Sequence, residues 1–172
     1  MSQLNQIQLR FIAREDRVLL RVNTTSRSEF RFWITRRYAK LLWSALSKLL
    51  ALDPHIQTAT DAHAKQTILA FQHESALSQA NFSRSFEKEA TQLPLGEAPV
   101  LLARVQVKQL ADGRRVLCLH PETGHGVELA LPGNLLHAFA RLLADASAQA
   151  DWDLGSGLSV AQPTPPQQLT VN

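Results

Sequence analysis

Near the N-terminus, four arginines and a tryptophan recur at spacings that would let them contact a polyanion together. They lie in three segments where apolar and polar residues alternate: Arg10, Arg17, Arg21, Arg31 and Trp33. Because successive side chains of a β-strand point to opposite faces of its sheet, the spacing predicts that all five share one solvent-facing surface. Arginine binds phosphate groups, and an exposed indole ring stacks on a base. The pattern therefore indicates a surface for single-stranded DNA or RNA.

Two further arginines, Arg36 and Arg37, begin the helix that is predicted directly after these strands. Positive charge in the first turn of a helix opposes the helix dipole and costs up to about 1 kcal/mol. A bound anion would offset that cost, so both residues belong to the candidate nucleic-acid-binding set. The alternative is that their side chains extend along the solvent side of the helix and bind nothing.

The same surface also fits a second hypothesis, in which it contacts a protein. Trp33 would then be buried by another part of the chain or by a second copy, and the arginines would pair with nearby acidic residues. Exposed apolar side chains on an otherwise polar surface are typical of interfaces. Under this hypothesis the protein is a homodimerising or protein-binding scaffold.

Three strands and a helix are predicted to position these residues. The alternation indicates strands over residues 6–13, 17–23 and 29–34, joined by polar turns. Thr35 can cap the helix Arg36–Ala51 through its side-chain oxygen. The residues that recur every three or four positions, and so form the predicted buried stripe of this helix, are Tyr38, Leu41, Leu42, Ala45, Leu46 and Leu49.

A related pattern follows in the second half of the chain. Strands are predicted over residues 100–109, 114–120 and 127–131, and a helix over 134–148. The turn at Asp112-Gly113 favours a hairpin between the first two of these strands. The repetition predicts an internal duplication. The predicted fold class is α+β, with two antiparallel sheet-plus-helix repeats, each strand-strand-strand-helix.

The predicted organisation has a first repeat at 1–53, a second at 99–152, and a connector at 54–98. The connector should contain a helix over 61–80, with an apolar stripe of Ala64, Ile68 and Phe71 that extends to Leu77. Residues 81–89 fit either a further strand or a helical turn. Residues 153–172 hold three prolines and few large apolar side chains, a composition that predicts a disordered tail.

Charge is distributed unevenly between the two predicted repeats. The whole chain carries +3, but residues 1–53 contain ten Lys or Arg against four Asp or Glu. This excess indicates an anionic partner for the first repeat. The sequence shows neither a secretory signal nor a run of about 18 apolar residues. A single cysteine, Cys118, excludes an intrachain disulfide, and a cytoplasmic protein without a membrane partner is expected.

Residues that could support catalysis or bind a metal do not form a convincing set. Cys118, His120 and His125 are close in sequence, but Cys118 and His120 would share a face that the apolar pattern predicts to be inward. No P-loop, dinucleotide-binding, nucleophile-elbow or zinc-protease motif occurs. We therefore expect a non-enzymatic binding protein that self-associates and that has no catalytic residue, metal or cofactor.

The order of these elements resembles that of the Whirly and PUR proteins and related single-stranded-nucleic-acid-binding proteins. The likeness covers the two strand-rich repeats and their helices, from Gln6 to about Asp151. It implies binding of nucleic acid across the exposed sheet face by aromatic and basic residues. A second resemblance is to uncharacterised bacterial proteins, through the segment EFRFWITRRYAKLLWSAL. That resemblance implies no activity.

Overall fold

A computed structural model describes residues 4–80, 82, 85–86 and 90–155. Most of the strand predicted at 81–89 lies outside the described residues, as does the predicted tail after residue 155. Three residues of that strand, Phe82, Ser85 and Phe86, are described, and they are not in a strand. The strands are β1 (Leu4–Ile12), β2 (Arg17–Thr24), β3 (Glu29–Ile34), β4 (Val100–Gln109), β5 (Arg115–Pro121) and β6 (Val127–Ala130). The helices are α1 (Arg36–Ala51), α2 (Pro54–Gln57), α3 (Ala62–Gln79) and α4 (Gly133–Gln149).

The six strands form one mixed sheet in the order β1-β2-β3-β4-β5-β6, so the protein is α+β. Neighbouring strands are antiparallel except β3 and β4, which run parallel and pair Phe32 with Val100 and Trp33 with Leu101. The prediction of two separate sheets is therefore wrong. An edge strand has unpaired backbone amides and carbonyls, and the start of β4 provides partners for the end of β3.

Helix α1 forms where the sequence predicts it, and its first turn explains why. The Thr35 side chain accepts a hydrogen bond from the Tyr38 amide at 3.2 Å. The predicted stripe is buried except for Leu41, whose exposed fraction is 44 %, while Trp43 is buried instead. The helix therefore turns slightly away from the expected orientation, and Leu41 is left at the surface beside the sheet.

Helices α1 and α4 cover a single face of the sheet. The buried residues of both helices join Val18, Leu20 and Phe32 of the strands in one hydrophobic core. Helix α1 packs against β4 and β5, which follow it in the chain, whereas α4 returns to pack against β1. Each of the two helices thus covers strands from the other half of the chain. Within the described ranges, no helix has the length and apolar character needed to span a bilayer.

Helix α3 forms a further layer that packs on α4. Its predicted stripe is wrong at Phe71, whose exposed fraction is 73 %; Ala64 and Ile68 are half-buried, and the fully buried residues are His73 and Ala76. The His73 and His137 rings meet between the helices with their Nδ1 atoms 3.2 Å apart. Burial lowers the pKa of His137 to about 4, and the charges of the nearby His73 and Arg115 contribute in the same direction to a smaller extent. The pair is therefore neutral at pH 7, and one ring donates its N–H to the other.

Candidate functional site

The strand register places the five predicted side chains on one face, the face opposite α1 and α4, which we call the open face. Across the first three strands, one row contains Gln8, Arg21 and Arg31, and the next contains Arg10, Leu19 and Trp33. Arg17 pairs with Ile12 and shares this face. Period-two alternation in each strand, together with the hairpin registers, is what aligns them.

At one end of the open face, which we call the covered end, two arginines bind a buried glutamate. Arg21 Nε and Arg31 Nε donate to the same oxygen, Glu29 Oε1, at 2.8 and 2.7 Å. The Glu29 side chain is fully buried, and its second oxygen has no hydrogen-bond donor in the described part of the chain. Burial raises the pKa of this carboxyl, but the two arginine hydrogen bonds and charges outweigh it and hold the pKa below its usual value.

The connector after α3 adds contacts to the covered end. The Arg21 guanidinium lies 4.2 Å from the centroid of the Phe86 ring, in a cation–π contact. Arg31 Nη1 donates to the carbonyl of Glu97 at 3.1 Å. Arg21 and Arg31 thus pair with a nearby acidic residue, which the second hypothesis also predicted. The sequence alone could have indicated Glu29, because it is two residues from Arg31 and so lies on the same face of the predicted strand. Nothing in the sequence near Arg21 indicated its contact with Phe86.

The other end of the open face, the exposed end, has a different character. Arg10 is exposed and Arg17 is half-buried, and neither forms an ion pair with a described residue. Trp33 is half-buried and lies between Leu19 on β2 and Leu101 on β4. The result is a short apolar row on the same face as positive charge that no described residue neutralises through an ion pair.

The second half of the open face is less basic and partly neutralised. Lys108 Nζ and Glu128 Oε1 form an ion pair at 2.7 Å that links β4 to β6 across β5. Cys118 pairs with Gln106 and Glu128, so it lies on the open face, and the prediction that it faces inward is wrong. Residues 116–119 are all buried, so burial alone does not show which of them face the helices and which lie on the open face. Burial raises the pKa of the Cys118 thiol.

Arg36 and Arg37 lie beyond the end of β3 and differ in their surroundings. Arg37 lines a groove of about 500 Å³ between the start of α1 and the start of β4, whereas Arg36 is exposed and does not line it. Arg104 lines the same groove and was not predicted from the sequence. The groove residues are Thr35, Arg37, Tyr38, Leu41, Leu101, Leu102, Ala103, Arg104 and Glu122.

Positive charge is concentrated on the open face. By register, its charged members among the described residues are Arg10, Arg17, Arg21, Arg31, Arg104 and Lys108 against Glu29 and Glu128. In the same part of the chain, no group of three or more His, Cys, Asp or Glu side chains is arranged to hold a metal ion. No family model, curated protein or solved structure matches this chain.

Proposed function

We propose that the open face binds single-stranded nucleic acid, and that the exposed end makes the principal contacts. Arg10 and Arg17 would bind phosphates, and Trp33 would stack on a base. The observation that carries the proposal is a half-buried indole on the same face as two arginines that form no ion pair with a described residue. Stacking on an aromatic side chain accepts any base, and a basic surface follows the backbone.

The covered end has a smaller part in this proposal. Arg21 and Arg31 already donate to Glu29, so one of their two charges is neutralised at short range. A phosphate would have to compete with a carboxylate that is fully desolvated, and an unpaired buried carboxylate is costly. Arg21 and Arg31 therefore contribute through their remaining net charge more than through direct contacts. Arg36 would act in the same long-range way.

A salt titration tests the proposal directly. A fluorescein-labelled oligothymidylate of about ten nucleotides is titrated with the protein by fluorescence polarisation at several salt concentrations. Affinity should fall linearly with the logarithm of the salt concentration, because phosphate contacts release counterions. Substitution of both Arg10 and Arg17 by alanine should flatten that slope, and Lys65→Glu on α3, which changes the net charge by the same amount, is the control for net charge. Absence of binding at about 50 mM salt would sink the proposal.

A second candidate function is a self-associating scaffold, in which the open face contacts another copy of the chain. The row of Leu19, Trp33 and Leu101 favours this alternative, because Leu101 has an exposed fraction of 45 %. Light scattering of the wild type and of Trp33→Ala separates the two functions. A dimer that dissociates on this substitution supports the scaffold, and a monomer in both cases counts against it.

The organisation predicted from the sequence belongs to the proposal as well. Each half is a three-stranded antiparallel meander followed by a helix, which supports an internal duplication. Each helix, however, packs on strands of the other half: α1 on β4 and β5, and α4 on β1. Close superposition of β1–β3 on β4–β6 in an experimental structure is expected, and different strand curvature in the two meanders would count against it. A relationship to Whirly and PUR proteins is proposed from the same element order, and a cytoplasmic location is proposed from the single cysteine, Cys118.

A further inference from the structure

The groove beside the exposed end combines exposed apolar side chains with basic ones. Leu41 and Leu101 have exposed fractions of 44 % and 45 %, which places both among the most exposed large apolar side chains of the described residues. Both line the groove, together with Arg37 and Arg104. Neither arginine forms an ion pair with a described residue. A lining that is partly apolar and partly basic suits a ligand that is flat and apolar in one part and anionic in another.

The backbone around the groove is held in place by a specific hydrogen bond. The Tyr38 hydroxyl donates to the carbonyl of Arg104 at 3.1 Å. The pairing of β4 with β5 shifts register between Leu102 and Arg104, so this carbonyl lies at an irregularity of the strand. Tyr38 is buried, and burial raises the pKa of its hydroxyl, which therefore remains a donor at every physiological pH. The two walls of the groove, α1 and β4, are thus joined at its base.

The groove is continuous with the exposed end of the open face. Trp33 pairs with Leu101 across β3 and β4, and Leu101 is also part of the groove wall. Neighbouring strands of a sheet lie about 4.8 Å apart, so the two residues are adjacent. A strand of nucleic acid with one base on Trp33 would therefore reach the groove with a neighbouring nucleotide.

We propose that this groove is a second subsite for the same single strand, and that it takes one unpaired base against Leu41 and Leu101 while Arg37 and Arg104 bind the adjoining phosphates. The inference rests on the proposed function, since it assigns part of that ligand. A nucleotide has the required chemistry, because its base has an apolar face and its phosphates are anionic. Glu122 also lines the groove, so its lining residues carry two positive charges and one negative.

The two neighbouring arginines at the start of α1 provide a matched test. Arg37→Ala and Arg36→Ala remove the same charge from adjacent exposed positions, but only Arg37 lines the groove. With the oligothymidylate probe, we expect Arg37→Ala and Arg104→Ala each to weaken binding roughly fivefold and to reduce the salt slope by about 1. Arg36→Ala should stay within about twofold of the wild type, as expected for a charge that makes no phosphate contact.

A second comparison tests whether a base enters the groove. Leu41→Ala should weaken binding of the oligothymidylate several-fold, and it should leave binding of an abasic oligonucleotide of equal length unchanged. Equal losses for Arg36→Ala and Arg37→Ala, or equal effects of Leu41→Ala on both probes, would overturn the groove subsite while the proposed function stands. If the wild type binds neither probe, the proposed function fails, and the subsite fails with it.

Discussion

The covered and exposed ends of the open face contain the same residue type in different surroundings. At the covered end, Arg21 and Arg31 hold a buried carboxylate, and the ring of Phe86 lies against one of them. At the exposed end, Arg10 and Arg17 share the face of Trp33 and form no ion pair with any described residue. The difference shows that an arginine contributes to stability when an acid is desolvated beside it, and remains available for a ligand when none is.

The reason for the difference lies in the cost of burying charge. Glu29 has lost its water, and a buried carboxylate destabilises the fold unless charge-assisted hydrogen bonds replace its hydration. Two guanidinium groups meet that need, and this fixes their positions. Arg10 compensates no such cost, so its loss should leave the folded state nearly unchanged. Substitutions at the two ends therefore separate stability from binding.

The largest expected effect comes from removing the acid at the covered end. Glu29→Ala leaves two partly buried arginines without their carboxylate and should lower the free energy of unfolding by about 3 kcal/mol. Arg10→Ala should change it by less than about 0.5 kcal/mol, as is usual for a surface substitution. Urea denaturation followed by tryptophan fluorescence measures both. Equal stability of the two variants would show that the Glu29 cluster is not structural.

Acid should weaken the covered end selectively. The folded pKa of Glu29 is below its ordinary value of 4.5, so the carboxylate stabilises the fold above that pH and the contribution is lost as pH falls through the lower folded pKa. The difference in unfolding free energy between wild type and Glu29→Gln should therefore be full at pH 7 and shrink below pH 4.5. Protonation of the buried histidines in acid destabilises both proteins equally, so this effect cancels from the difference in unfolding free energy. A difference that stays constant down to pH 3 would contradict the assignment.

At the exposed end, the largest expected effect is on binding. Trp33→Ala should weaken binding of the oligothymidylate about tenfold, because stacking of one base on an aromatic ring contributes about 1–3 kcal/mol. Phe86→Ala removes an aromatic ring from the covered end and should change the affinity by less than about twofold, since that ring already contacts Arg21. Polarisation titrations of both variants decide between the two rings. A larger loss for Phe86→Ala would place the ligand at the covered end.

The smallest and sharpest effect is in the salt dependence. Arg10→Ala should reduce the slope of log affinity against log salt by about 1, as expected for one lost phosphate contact. Arg31→Ala should reduce it by less than half as much, because Glu29 already neutralises part of that charge. The two slopes are measured under identical conditions. Equal slopes in the two variants would mean that the covered and exposed ends contribute equally to the binding of a polyanion.

Several features were within reach of the sequence because they depend on neighbours along the chain. The alternation in the first three strands predicted that Arg10, Arg21 and Trp33 share a face, and the hairpin registers align them as expected. Thr35 before an apolar stripe predicted the start of α1. Strand parity and helix caps are decided within a few residues, so local patterns suffice for them.

Other features depend on contacts between segments that are distant in the sequence, and only the tertiary structure decided them. The pairing of β3 with β4 merged the two predicted sheets, the connector brought Phe86 to Arg21, and α3 turned Phe71 outward. Burial and charge pairing depend on which surfaces meet in space, and alternation along a strand carries no information about that. The sequence by itself therefore determined which side chains share the open face, and tertiary packing decided which of them remain available for a ligand.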